Sequence, residues 1–138
     1  MSTSNNIMRR VPYDDIEFTH DRVYMHDGEP FTGVGVEIHR EGWTICEVEY
    51  RHGKQHGFAR EFSKAGKIIG ETPYVNDLKH GREREWYDNG KVRTENVFEF
   101  DILMESISWS ENGEVNRSYL RPPEDPLYKR VLQRRRVG

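Results

Sequence analysis

From about residue 33 to residue 119 the chain alternates hydrophobic and polar side chains in short runs. Val34, Val36 and Ile38 oppose Gly35 and Glu37; Phe58, Arg60 and Phe62 oppose Ala59 and Glu61. Arg82, Arg84 and Trp86 oppose Glu83 and Glu85, and Ile107 and Trp109 oppose Ser106 and Ser108. In the runs between these, Val48 and Tyr50 oppose Glu47 and Glu49, and Phe98 and Phe100 oppose Val97 and Glu99. Period-two alternation over about five to seven residues predicts half-buried strands. Short turns between the runs make neighbouring strands antiparallel. The expectation is a single antiparallel meander with one aromatic face and one charged face.

The runs repeat. Tyr50, His56 and Gly57 recur 24 residues on as Tyr74, His80 and Gly81. Glu61-Phe62 recurs as Glu85-Trp86, and Gly66-Lys67 as Gly90-Lys91. Upstream, Gly33, Glu37-Ile38 and Gly42 precede the same positions by 24. Downstream, Phe98 follows Tyr74 by 24, and Trp109 follows Trp86 by 23, with Met104-Glu105 where His-Gly stood. An atypical last copy is the mark of a capping repeat. Each repeat carries two turns. One falls at His52-Gly53, Asn76-Asp77 and near Phe100-Asp101. The other falls at Ala65-Gly66, Asn89-Gly90 and Asn112-Gly113, where Asn-Gly signals a tight hairpin because both residues tolerate positive φ.

These boundaries divide the chain into an N-terminal extension or capping strand (1–22), four hairpin repeats (23–49, 50–73, 74–97 and 98–119) and a proline-containing linker with a short basic tail (120–138). In the tail, Asp125-Pro126 reads as a helix N-cap followed by proline at the first helical position, and Leu127, Val131 and Leu132 supply an apolar stripe. Such a helix of about ten residues is marginal alone and needs a surface to dock on. Ile7 to Phe18 is placed to supply a further strand or cap, and both sheet edges need blunting against aggregation or dimerisation.

Composition sharpens this. Of 138 residues, 34% are hydrophobic and 33% charged, so much of the chain faces water, as in an elongated single layer. A net charge of −3 counts against bulk nucleic-acid binding and against a polybasic membrane surface. One cysteine, Cys46, excludes an internal disulfide and a Cys-rich zinc site; in an apolar run it reads as a small buried hydrophobe. No apolar run approaches a membrane span, and Met1 to Asn6 lacks a signal-peptide core, so a cytoplasmic location is expected.

The unit Tyr-x-x-Gly-Lys-x-x-Gly, followed by an aromatic residue and Asn-Gly-Lys, resembles the MORN repeat in its bacterial variant form. Asp27-Gly-Glu-Pro-Phe-Thr-Gly33 resembles the opening of such arrays, and the resemblance spans about Val23 to Val115. It implies a long antiparallel sheet of stacked hairpins that binds or scaffolds and carries no catalytic residues. The bacterial variant is associated with antitoxins (the YwqK type). Eukaryotic relatives are associated with membranes, a pattern from which this acidic chain departs.

The candidate chemistry is that of binding. Arg60 and Arg84 alternate with Phe58, Phe62 and Trp86, and with Trp109 they are the residue types that dominate interface hot spots. Glu37, Glu61 and Glu85 share one repeat position two strands apart, about 9 to 10 Å, and form an acidic stripe suited to a basic partner, or else a solvated face. His52, His56 and His80 lie at turns and read as solvent-facing rather than as a metal pair. No nucleophile–base set, metal motif or phosphate loop is present, so no enzyme activity, metal or cofactor is expected. The expected function is a non-enzymatic protein-binding module whose partner-binding residues are Arg60, Arg84, Trp86, Trp109, Glu37, Glu61 and Glu85. The sharper expectation is an antitoxin or immunity protein that occludes a partner toxin; the alternative is a lipid-binding or self-associating scaffold, with homo-oligomers forming through sheet edges.

Overall fold

The computed structural model describes residues 8–137. Strands run β1 (Arg10–Pro12), β2 (Glu17–Phe18), β3 (Tyr24–His26), β4 (Glu29–Pro30), β5 (Gly33–Ile38), β6 (Thr44–Arg51), β7 (Lys54–Phe62) and β8 (Ile68–Val75). They continue as β9 (Leu78–Lys79), β10 (Gly81–Trp86), β11 (Val92–Glu99), β12 (Ile102–Trp109) and β13 (Val115–Leu120), and helix α1 (Pro126–Val137) follows. The main sheet has the order β1-β5-β6-β7-β8-β10-β11-β12-β13, with the short β9 paired to β8. From β5 onward spatial order is chain order and every pair is antiparallel, so the expected all-β meander is the architecture.

Two features depart from a single antiparallel sheet. β1 joins the edge in parallel with β5. The first hairpin, β3–β4, belongs to a separate three-stranded sheet, β2-β3-β4. Pro30 ends β4, and the Phe31 N–H after it still donates to the Tyr24 carbonyl at 2.9 Å. Residues 8–18 therefore supply both the further strand and the cap expected of Ile7 to Phe18; Ile7 itself lies outside the described residues.

The two kinds of turn sit on opposite edges and differ in chemistry. Asp27-Gly28, His52-Gly53, Asn76-Asp77 and Phe100-Asp101 each have two successive positive φ values, the type I′ geometry of two-residue hairpins. At the other edge, His39 to Trp43, Ser63 to Lys67, Tyr87 to Lys91 and Ser110 to Glu114 close with a backbone hydrogen bond from the first N–H to the last C=O. There only the glycine has positive φ: Gly42, Gly66, Gly90 and Gly113. Each of these loops is flanked by a register shift, the signature of a three-residue turn with a glycine bulge. The Asn-Gly pairs are thus not two-residue turns. Asn89 keeps an ordinary φ and its Oδ1 accepts the Lys91 N–H at 2.9 Å.

Side chains couple each repeat to the next at the type I′ edge. His56 Nδ1 accepts the Asn76 N–H at 3.3 Å, and His80 Nδ1 accepts the Phe100 N–H at 3.0 Å. Thr32 Oγ1 does the same for His52 at 2.9 Å. Asp77 Oδ1 accepts the Gln55 N–H at 2.8 Å, and Asp101 Oδ1 accepts the Lys79 N–H at 3.2 Å. The reading of all three histidines as solvent-facing is therefore corrected: His52 is exposed, but His56 and His80 are half-buried acceptors that tie one turn to the next. A type I′ turn leaves a backbone N–H with no ladder partner, and a buried N–H needs an acceptor.

The core is small and lies at the N-terminal end. Val11, Phe31, Val48 and Tyr50 form it, with Ile16, Tyr24 and Ala59 packed around them. Gly35 leaves room there for Ile16 and Tyr50, whose atoms would stand 2.6 and 3.2 Å from a Cβ at that position. At the other end α1 starts as expected: Asp125 Oδ1 accepts the Leu127 N–H at 2.8 Å. Val131 is fully buried, Arg135 pairs with Glu99 at 2.5 Å, and Arg134 lies 4.7 Å over the Phe100 ring. The helix thus docks on the end of the last hairpin.

Candidate partner-binding surface

Register sorts the sheet's side chains into two faces. Glu47, Arg60, Glu71, Arg84 and Glu95 are successive cross-strand neighbours on β6, β7, β8, β10 and β11. Acids and bases alternate along this row, so each cation is flanked by carboxylates. Arg60 Nε lies 3.3 Å from Glu71 and its Nη1 3.6 Å from Glu49; Arg84 Nε and Arg82 Nη1 each lie 2.8 Å from Glu95. Arg10 meets Glu47 at 2.5 Å at the sheet's edge. Exposed pairs of this kind contribute about 0.2–1 kcal/mol each. The Arg60 guanidinium also sits 4.5 Å above the Phe58 ring, the stacking expected of it. Arg84 instead makes its contact with Glu95.

Beside this ladder, towards the glycine-bulge edge, runs an apolar row. Phe62 pairs with Ile68, Trp86 with Val92, and Trp109 with Val115, and Ile38 leads the row opposite Thr44. Ile38 and Val115 are more than half exposed, while both tryptophans are half-buried among their neighbours. The Tyr87 hydroxyl donates to the Trp109 carbonyl at 2.7 Å and fixes the loop beside it. The division into one aromatic and one charged face is therefore corrected: the face with Phe58, Phe62, Trp86 and Trp109 also carries the alternating ladder. Neutralising a row of arginines on a half-buried surface requires acids on the same face.

The opposite face carries the Tyr50, Tyr74 and Phe98 row towards the type I′ edge and, beside it, a row of small residues and acids. Glu37 pairs with Cys46, Cys46 with Glu61, Glu61 with Gly70, Gly70 with Glu85, and Glu85 with Thr94. The residues between the three stripe glutamates are thus cysteine and glycine, not lysine or arginine, and among the described residues none of the three forms an ion pair. A groove of about 590 Å³ runs over this face, lined in part by Glu37, Cys46, Glu61, Thr72, Glu83 and Glu85. Burial, together with the neighbouring Glu37 carboxylate, pushes the Cys46 thiol up, which keeps it protonated. Cys46 is half-buried, 3.8 Å from Glu37 Oε1.

The seven candidate residues thus divide between faces: Arg60, Arg84, Trp86 and Trp109 on the ladder face, and Glu37, Glu61 and Glu85 on the other. No single flat partner touches both sets. Sequence alternation missed the ladder because the acids Glu47, Glu71 and Glu95 sit in the intervening strands, whose phase relative to Arg60 and Arg84 is set by the bulges.

Several acids are held ionised by this architecture. A hydrogen bond from Arg84 keeps Glu95 below the usual carboxylate range, and one from Arg135 does the same for Glu99. Burial pushes Glu83 up, but hydrogen bonds from Asn96, Lys79 and Thr72 outweigh it and leave it lowered. Folded values below unfolded ones mean that the unfolded chain binds more protons as pH falls. Stability from these groups is complete above the unfolded carboxylate value of about 4.3 and is lost as pH drops through the lowered folded values. The urea midpoint is expected to stay level from neutral pH to about 5 and to fall steadily below about 4. A midpoint unchanged at acid pH would remove these pairs as contributors.

Comparison with known families bears on the repeat itself. Residues 79–99 match the family model described as MORN repeat variant. The match begins at the end of β9 and runs through β10 and β11, about one repeat including its glycine-bulge loop. No curated protein matches the chain.

Proposed function

We propose that this chain is a non-enzymatic protein-binding module, built from MORN-type hairpin repeats, that presents its ladder face to another protein. The observation that carries the reading is the apolar row Phe62, Ile68, Trp86, Val92, Trp109 and Val115 on a broad sheet face, flanked by a self-neutralised charge ladder. Among the described residues, Tyr13–Asp15, Ile16 and Tyr24 pack at the N-terminal end of the main sheet, and α1 packs against β12 at the other. Contiguous apolar patches rimmed by polar groups are where partners dock, with tryptophan as the usual anchor. Because Glu71 and Glu95 already balance Arg60 and Arg84, the arginines orient a partner through short-range hydrogen bonds while the tryptophans supply the affinity.

The finer reading, supported by the resemblance to the bacterial repeat variant, is that the partner is a cognate toxin and that the sheet neutralises it by covering its working surface. Glu37, Glu61 and Glu85 offer a second, acidic contact on the reverse face for a basic partner. No helix among the described residues is long and apolar enough to cross a membrane.

The test is capture from the native cell extract by the tagged chain, with mass spectrometry of what co-elutes. A single stoichiometric protein is expected with the native chain. It is expected to be lost with the double variant Trp86→Ala, Trp109→Ala and retained with Glu61→Lys, Glu85→Lys, all with unchanged circular dichroism. Toxicity of the captured protein when expressed alone supports the antitoxin reading. Loss through the glutamate variant instead moves the site to the other face, and capture of no stoichiometric protein removes the reading.

A further inference from the structure

The two ends of the main sheet are treated differently. At one end the edge strand β1 is three residues long, parallel, and finishes in Pro12, which has no N–H to offer. That edge is blunted in the way soluble proteins commonly blunt edges. At the other end β13 is six residues, Val-Asn-Arg-Ser-Tyr-Leu, with every side chain exposed. Among the described residues it pairs on one side only, with β12. It contains no proline, no lysine and no acid, and its one register shift lies at its very start, opposite Ser108 and Trp109.

The direction of its free backbone groups follows from the ladder. The Arg121 N–H donates to the Met104 carbonyl at 2.9 Å, continuing the β12–β13 ladder. Peptide groups alternate sides along a strand, so Arg117 and Tyr119 also turn theirs inward. Ser118 and Leu120 then turn N–H and C=O outward, while Asn116 is the extra residue of the bulge and has no partner of its own on β12.

We infer that β13 is the dimer edge of this chain, pairing antiparallel with β13 of a second copy across a twofold axis at Ser118. In antiparallel pairing of identical strands, partners share a face only when their numbers are of the same parity. With Ser118 opposite Ser118, Arg117 lies opposite Tyr119, and Ser118 exchanges both of its outward backbone hydrogen bonds with Ser118 of the second copy. Of the two neighbouring same-parity registers, one puts Arg117 opposite Arg117 and the other puts Arg117 opposite Arg121, and like charges directly opposed are destabilising. The Ser118 register instead sets the strand's one cation against a ring and covers part of Leu120, which is 69% exposed in the single chain. A second copy is the occupant this edge selects, because the edge is self-complementary in length, polarity and charge, and twofold dimers are the commonest closed assembly. The two sheets would run on as one, with the ladder face of each copy left open. The inference is independent of the ladder-face reading, since edge and face are different surfaces.

The test measures mass in solution and register by cross-linking. Light scattering coupled to size exclusion is expected to give twice the 16.4 kDa chain mass for the native protein. Ser118→Pro is expected to give the single-chain mass with unchanged circular dichroism, because the N–H it removes points away from β12 and proline is tolerated at such an edge position. Ser118→Cys is expected to form an interchain disulfide between the two copies of residue 118 under mild oxidation, identified by peptide mapping, since the paired Cα atoms would stand about 5.5 Å apart. Arg117→Cys is expected not to. A native chain of single mass at every concentration overturns the inference, as does a dimer that Ser118→Pro leaves intact. Cross-linking through residue 117 rather than 118 overturns the register. Loss of partner capture in a chain that still dimerises would leave the edge assignment standing and fail only the face.

Discussion

Tyr50→Ala is expected to lower unfolding stability by about 3–5 kcal/mol, the usual cost of deleting a large buried aromatic. Tyr50 is 1% exposed and is the hub of the core, with its ring 4.9 Å from Tyr24 and 5.6 Å from Phe31. It sits opposite Gly33, and its row recurs as Tyr74 opposite Gly57 and Phe98 opposite Gly81. In those later copies the aromatic residue is only half-buried, because no N-terminal cap lies over it. Tyr74→Ala is therefore expected to cost clearly less than Tyr50→Ala. Urea unfolding of the two variants, side by side, checks this. Equal losses would mean that the core is spread evenly along the array rather than gathered at its N-terminal end. A loss of this size is a large part of the 5–15 kcal/mol that holds a typical domain together.

Gly33→Ala is the second large effect. Gly33 has φ +153, and a Cβ there would stand 2.4 Å from the Arg9 backbone oxygen and 2.7 Å from the Phe31 ring. The backbone atom cannot step aside without breaking the Val34 N–H to Arg9 carbonyl bond of 2.7 Å that begins the β1–β5 pairing. Backbone strain alone costs about 1–3 kcal/mol, and the displaced strand adds to it. Gly42→Ala separates the two contributions, since Gly42 also has positive φ but has open space around its Cβ position. The expected result is a modest fall in melting temperature for Gly42→Ala. A larger fall is expected for Gly33→Ala, with faster proteolysis near Arg9 and Arg10. Equal falls would show that β1 does not depend on that close approach.

The repeat was legible because its signals are local. Glycine at a bulge, an aromatic residue at a fixed offset and alternation between them each act over a few residues, and their recurrence at 24 outlines the strands from β5 to β13. The α1 start at Asp125-Pro126 was legible for the same reason. Three things were not. Which side of the sheet each strand shows to its neighbours depends on the bulges, so the Glu71 and Glu95 partners of Arg60 and Arg84 lay hidden in the sequence. The roles of His56 and His80 depend on a turn 20 residues away in the next repeat, which spacing does not reveal. The turn type at Asn89-Gly90 depends on loop length: with three residues in the loop, only the last needs positive φ, and Asn89 serves through its side chain instead.

Phe100 shows how tertiary contact overrides a local preference. A bulky residue with φ +49 is unusual, and Asn or Gly would fit the turn better. Its ring, however, lies 4.8 Å from that of His80 and 4.7 Å beneath the Arg134 guanidinium, so it anchors α1 to the last hairpin.

The most direct test of the ladder-face reading is a side-chain footprint of the chain alone and in complex with the stoichiometric protein captured from the extract. Hydroxyl-radical labelling reads tryptophan, phenylalanine and tyrosine directly. The account predicts strong protection of Phe62, Trp86 and Trp109 in the complex, with Tyr74 and Tyr119 on the opposite face unchanged. Protection of Tyr74 and Tyr119 with the two tryptophans still reactive would contradict it and put the partner on the other side of the sheet.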